Sequence, residues 1–333
     1  MHHRWLAGAL WRRPTRKITA ACVLVTALAV APARAALCGD DVDGRDVPCA
    51  CGDVVVSSLV LGDDPVVNGA PCSGDALTVR NPDSPRTLVI DLHGHRLQGT
   101  GTGAGLRVLA GGPGGAQVVS SGAPATIAGF EDGIVARGTD ALALVEDVIV
   151  SRTGRDGLRI SGTEFQVRRV EVHEAVRDGF SLAGRGFAIS DTHASDCGRY
   201  GYFVMGHSGQ IGQTGAGNLA ERSGVAGFNV TGSGHAVADC GATFGRKVGV
   251  HLQATQMDVR GCRASDNAGN GIEGLGNNWR MSGNEALRNG GDGLSVRGIG
   301  LVDEGGNLGH DNGEAVASGA PVQCAISGAA CAL

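Results

Sequence analysis

The sequence predicts an all-β fold, a right-handed parallel β-helix of three sheets and about ten coils, stapled by disulfides at its ends. Three observations predict it. A glycine opening an apolar-x-apolar triplet recurs at Gly105, Gly133, Gly157, Gly179, Gly201, Gly227, Gly249, Gly271 (where the triplet ends in Gly274) and Gly293. The intervals are 28, 24, 22, 22, 26, 22, 22 and 22 residues, and a sustained period of this length marks a stacked repeat. Within a period the apolar residues alternate every second position, as strands require. The composition agrees, since 57 glycines and 4% aromatics suit thin layers and tight turns better than a thick aromatic core.

In chain order, residues 1–35 read as an export signal. Arg4, Arg12, Arg13, Arg16 and Lys17 form a basic start, Ile18 to Ala31 is an apolar run short for a bilayer span, and Ala33-Arg34-Ala35 supplies a small-x-small cleavage pattern. Cleavage there removes six of 28 basic residues and no acidic ones, leaving 22 basic against 33 acidic. That acidic balance excludes a nucleic-acid partner, which needs a basic face. No later apolar run reaches transmembrane length, so a secreted, periplasmic or cell-surface location is expected, as a monomer. Residues 36–76 form an N-terminal cap with Cys38, Cys49, Cys51 and Cys72; residues 77–315 form the β-helix; residues 316–333 form a C-terminal cap or tail in which Cys324 and Cys331 close a short loop. Cysteines clustered at both ends of an exported chain read as disulfides, with the N-terminal connectivity left open. Cys49-Ala50-Cys51 lacks zinc-ligand spacing.

In the coil Gly157–Asp178, Leu158 and Ile160, Phe165 and Val167, then Val170 and Val172 are expected to point inward as three short strands. At about 3.3 Å per residue a 22-residue coil has a contour near 70 Å, enough for one turn around side chains filling the centre. A helical solenoid is disfavoured because no repeat carries the i, i+3, i+4 pattern and glycine at this density destabilises helices. Equivalent offsets should then stack about 4.8 Å apart. Thirteen residues past the repeat glycines lie Val170, Thr192, Cys240, Cys262 and Asn284; eighteen past lie Cys197, Asn267 and Asn289, with Asn312 one place late. Cys240 and Cys262 are expected as packed thiols, because parallel Cβ vectors hold their Cβ atoms wider than a disulfide prefers.

These coils resemble the right-handed parallel β-helix repeats of the pectin lyase-like superfamily, and Leu88 to Gly99 (LVIDLHGHRLQG) is similar to an early coil of its bacterial members. The resemblance covers roughly residues 52 to 315. It implies the fold strongly and an activity weakly, because that superfamily includes polysaccharide lyases, glycoside hydrolases, epimerases, accessory envelope proteins and adhesins. The Asn-Thr-Asp and Arg-Ile-Lys elements of its hydrolases are absent, Asp-Asp occurs only in the N-terminal cap (Asp40-Asp41 and Asp63-Asp64), and His93-Gly94-His95 lies in an early coil, so no catalytic residue carries over.

The resemblance implies a ligand along the outer face of one sheet. The outward column two places after each glycine reads Arg107, Val135, Arg159, Ser181, Phe203, Asn229, His251, Glu273 and Ser295. His251 and Glu273, one coil apart, could hold a proton between them, with Lys247 or Arg159 neutralising a uronate and Phe203, Asn229 and Tyr200 completing the patch. The plainer reading is a solvated polar face. Asp132, Asp156 and Asp178 each precede a repeat glycine, and Arg155 and Arg177 precede the latter two. Stacked carboxylates repel unless partnered, so interleaved ion pairs are expected, with calcium the alternative. The sequence thus favours a non-catalytic carbohydrate-binding or envelope structural protein without a cofactor; a polysaccharide lyase or hydrolase is the rival.

Overall fold

The computed structural model describes residues 35–81, 85–109, 114–213, 215, 217–313 and 323–331. Residues 1–34, which carry the export-signal reading, lie outside the described residues, as do 314–322 and 332–333 of the C-terminal segment. From Ala35 onward the chain is one compact unit and is the right-handed parallel β-helix that the repeat requires.

Two hydrogen-bonded sheets contain nearly every element, and the one helix among the described residues is the four-residue Pro65–Asn68. The first sheet has 15 strands. Its parallel members include Leu77–Arg80, Ala104–Leu109, Asp132–Arg137, Leu158–Thr163, Phe180–Arg185, Tyr200–His207, Ala226–Ser233, Val248–Thr255, Ile272–Asn277 and Leu294–Arg297. Register advances by one coil at each step, so Phe203, Asn229, His251, Glu273 and Ser295 are successive pairing partners. The second sheet, of 19 strands, is bent into two faces, which gives each coil three sides. Its bend falls where Asp147, Arg169, Asp191, Asp239, Gly261 and Gly283 adopt positive φ. The 26-residue interval puts its four extra residues at this corner, between Ile211 and Asn218. Two further corners repeat the device, and a non-glycine residue held there costs about 1–2 kcal/mol against right-handed backbone.

The expected inward residues are inside. Leu158, Ile160, Phe165, Val167, Val170 and Val172 are all buried, and equivalent side chains stack coil upon coil. Phe180, Tyr202 and Phe228 form an aromatic stack with centroids 4.7 and 4.4 Å apart and nearly parallel planes. Gly274 leaves a gap in one inward column and the Trp279 indole occupies it, donating from Nε1 to Ala254 O at 2.8 Å.

Both edges of the first sheet end in antiparallel hairpins, Leu37–Val42 with Arg45–Val47 and Cys324–Ile326 with Ala329–Ala330. Disulfides Cys38–Cys49 and Cys324–Cys331 pin them, and Cys51–Cys72 ties the next coil, so neither edge offers a long open strand. Strands Leu37–Val42 and Asp53–Val55 pair in parallel with the stack, so no break in pairing separates residues 36–76 from the coils. One expectation fails. Cys240 and Cys262 are joined as a disulfide, with Cα atoms 4.4 Å apart, instead of packing as thiols. Cys262 precedes its strand, which starts at Arg263, and follows Gly261 at positive φ, so the ladder that would hold its Cβ parallel to that of Cys240 has not begun.

Candidate functional site

The repeat glycine sets each first-sheet strand, and two residues later a side chain faces outward. Here His251 and Glu273 meet: His251 Nδ1 lies 2.8 Å from Glu273 Oε1. Asn270, at the turn just before Gly271, donates from Nδ2 to Glu273 Oε2 at 2.5 Å. These two hydrogen bonds, His251 first, hold the Glu273 carboxyl below its ordinary value against the opposing effect of burial. In the neutral ring, an ionised carboxylate facing Nδ1 keeps the proton on that nitrogen and leaves Nε2 as an acceptor.

Two hollows flank this pair. One, of about 230 Å³, is lined by Tyr200, Asn229, Lys247, His251 and Glu273; the other, of about 320 Å³, by His251, Glu273, Asn270, Asp292, Ser295 and Arg297. Asn229 Oδ1 is buried without a hydrogen-bond partner at the edge of the first. Lys247 and Arg297 are exposed and make no ion pair among the described residues. For Lys247 the repeat explains this. It occupies the column of Arg155, Arg177 and Arg199, two places before the repeat glycine. Arg177 and Arg199 reach back to Asp156 and Asp178 of the coil below. At the corresponding place below Lys247 stands Ala226, so its ammonium has no carboxylate.

The structure therefore unites His251, Glu273, Lys247, Asn229 and Tyr200, with Phe203 adjoining them as the pairing partner of Asn229, and leaves Arg159 apart. Phe203 stacks on Tyr200, with centroids 5.5 Å apart, beneath the Arg199 guanidinium. Arg159 lies three coils away, paired with Asp132. Asn270 and Arg297 went unread in the sequence. Asn270 continues the column of Asp132, Asp156 and Asp178, and a search for all polar residues there, instead of aspartates alone, finds it.

The acidic column is buried throughout and answered by arginines. Asp178 accepts from Arg199 at 2.8 and 2.5 Å, while Arg177 approaches Asp156 at 3.6 Å. Asp156 Oδ2 is left without a hydrogen bond, and burial, then Asp178 and Asp132, raise its pKa despite Arg177. Among the described residues no three His, Cys, Asp or Glu side chains converge as a metal site, and no helix is long and apolar enough to cross a membrane.

No protein-family profile matches the chain, and no curated protein matches it. Solved structures do. A double mutant of the periplasmic alginate epimerase AlgG is 13% identical over 75% of this chain and 65% of that chain, with a TM-score of 0.45. A pectate lyase is 15% identical over 83% and 73%, with a TM-score of 0.39. The catalytic unit of a thermostable GH87 alpha-1,3-glucanase from Streptomyces thermodiastaticus is 16% identical over 82% and 66%, with a TM-score of 0.40. The chain thus spans just under two thirds of the first of these.

Proposed function

We propose that this protein binds an acidic polysaccharide along the outer face of the first sheet, between Tyr200 and Arg297. One observation carries the reading: the two hollows that share His251 and Glu273 each present a cation, Lys247 or Arg297, that makes no ion pair among the described residues. In an acidic protein where Arg155, Arg177 and Arg199, the members of the Lys247 column in earlier coils, are each answered by a carboxylate, an ammonium beside a concave, partly apolar surface without such a partner among the described residues suits a sugar carboxylate. Four disulfides among the described residues fit an oxidising compartment outside the cytoplasm, where such glycans occur. In isothermal titration against polygalacturonate and alginate, Lys247→Ala with Arg297→Ala should weaken binding about tenfold or more, as expected for losing charged hydrogen bonds. Equal affinity for a neutral glucan, or no uronate binding by the unaltered protein, overturns the reading.

The His251–Glu273–Asn270 arrangement favours a second reading, a lyase or epimerase step. His251 Nε2 would accept the proton from the sugar carbon bearing the carboxylate, with Lys247 offsetting the charge that develops there. Unsaturated products or solvent-deuterium incorporation, lost in His251→Ala, would establish it. Binding without either leaves the non-catalytic role.

A further inference from the structure

A third hollow, of about 260 Å³, lies outside this site at the corner where the second sheet turns toward the first. Asp196, Gly198, Arg222, Gly224, Phe244 and Arg246 line it. The glycines are set by stacking: a Cβ on Gly198 would fall 2.1 Å from Val176 O, and one on Gly224 2.0 Å from Gly198 O. Stacking does not explain Phe244. Its corner column reads Arg152, Glu174, Asp196, Arg222, Phe244, Asp266, Arg288 and Asp311, all at positive φ, and every other member is charged. A bulky aromatic residue in left-handed backbone is an outlier, and outliers of this kind gather at functional sites. Phe244 is 58% exposed and outside the hydrophobic core, so packing does not account for it.

We propose that this corner hollow binds one ring of a uronate-bearing saccharide, with Phe244 as the platform under the sugar and Arg246 as the cation for its carboxylate. The inference rests on the glycan reading above and extends it. Arg222 is held by Asp196 through bonds of 2.7 and 2.8 Å, whereas Arg246 makes no ion pair among the described residues. Arg246 and Lys247 are consecutive, and they line different hollows, one at the corner and one on the first sheet. A glycan with a carboxylate at Lys247 is therefore led around the corner to Arg246. A chain of several rings has more carboxylates to place in the two hollows than a dimer has, so the longer oligomer gains most from the corner.

The test compares binding of hexameric and dimeric oligogalacturonate and oligomannuronate by titration calorimetry. The ratio of hexamer to dimer affinity should fall about three- to tenfold in Phe244→Gly and in Arg246→Ala. Glycine suits the φ of 56° at this corner, so Phe244→Gly should keep or raise the thermal midpoint, which separates a lost platform from a damaged fold. An affinity ratio within twofold of the unaltered protein in both variants overturns the corner site while leaving the first-sheet reading intact. An unaltered protein that binds neither oligomer removes the glycan reading and the corner site with it.

Discussion

The carboxylates at Asp132, Asp156 and Asp178 and the amides at Asn267, Asn289 and Asn312 are both buried columns repeating once per coil, yet their hydrogen bonding differs completely. Each amide serves its neighbours. Asn289 Oδ1 accepts from Asn267 N and Nδ2 at 3.1 and 2.9 Å, and its Nδ2 donates to Ala264 O and Asn312 Oδ1 at 3.0 and 2.8 Å. The ladder ends where Gln323 Oε1 accepts from Asn312 N at 3.0 Å. A carboxylate can only accept, so its column requires cations from adjoining turns, and where their reach falls short an oxygen such as Asp156 Oδ2 goes unbonded. The amide column is self-sufficient; the acidic one depends on arginine. Lys247 shows the converse, a cation of the arginine column left over where Ala226 instead of an aspartate stands in the coil below.

The contrast is broken most severely by placing one chemistry in the other's column. Asn289→Asp turns two donated bonds into carboxylate facing Ala264 O and Asn312 Oδ1, with no arginine at hand. Urea unfolding should show a loss of about 3–5 kcal/mol, the range for an uncompensated buried charge. A loss under about 1 kcal/mol would mean the ladder is not what orders these coils. Next in size is the column Asn218, Cys240, Cys262, Asn284, Asn307, where a disulfide of sequence separation 22 replaces amide rungs. Cys240→Ala with Cys262→Ala should lose about 3 kcal/mol. The double asparagine variant should recover part of that if amide and disulfide rungs are interchangeable, and thermal unfolding of both variants decides it.

How much of this was legible depended on whether a feature keeps the period. The sheets, the inward sets such as Leu158 and Ile160, and the His251–Glu273 contact follow from residues 22 apart, and offset counting finds them. Asn218 does not: the four-residue insertion ahead of it moves it off the thirteenth place, although it accepts from Thr192 Oγ1 at 2.7 Å in the same column. Cys262 was misjudged for a related reason, because the alternation that predicts parallel Cβ vectors holds only inside strands. Phe244 and Arg246 sit at a corner, where the period-two pattern carries no information and only backbone dihedrals reveal the exception.

The smallest effect tests the acidic column where it is weakest. Burial, reinforced by Asp132 and Asp178 and opposed by Arg177 and Arg159, raises the Asp156 pKa above its ordinary 3.8. The folded protein therefore binds this proton more readily than the unfolded chain does. The stability it contributes is present below the unfolded value and is lost as pH rises through the folded one, so at neutral pH the bare charge is a burden. Asp156→Asn should accordingly be as stable as the unaltered protein or slightly more so at pH 7, within about 1 kcal/mol, with the advantage shrinking as pH falls toward 4. Paired urea titrations at pH 7 and pH 4 measure it. A clear loss at pH 7 would mean the carboxylate has a partner beyond the arginines, and a calcium-dependent rise in thermal midpoint confined to the unaltered protein would identify that partner as the cation its column could attract.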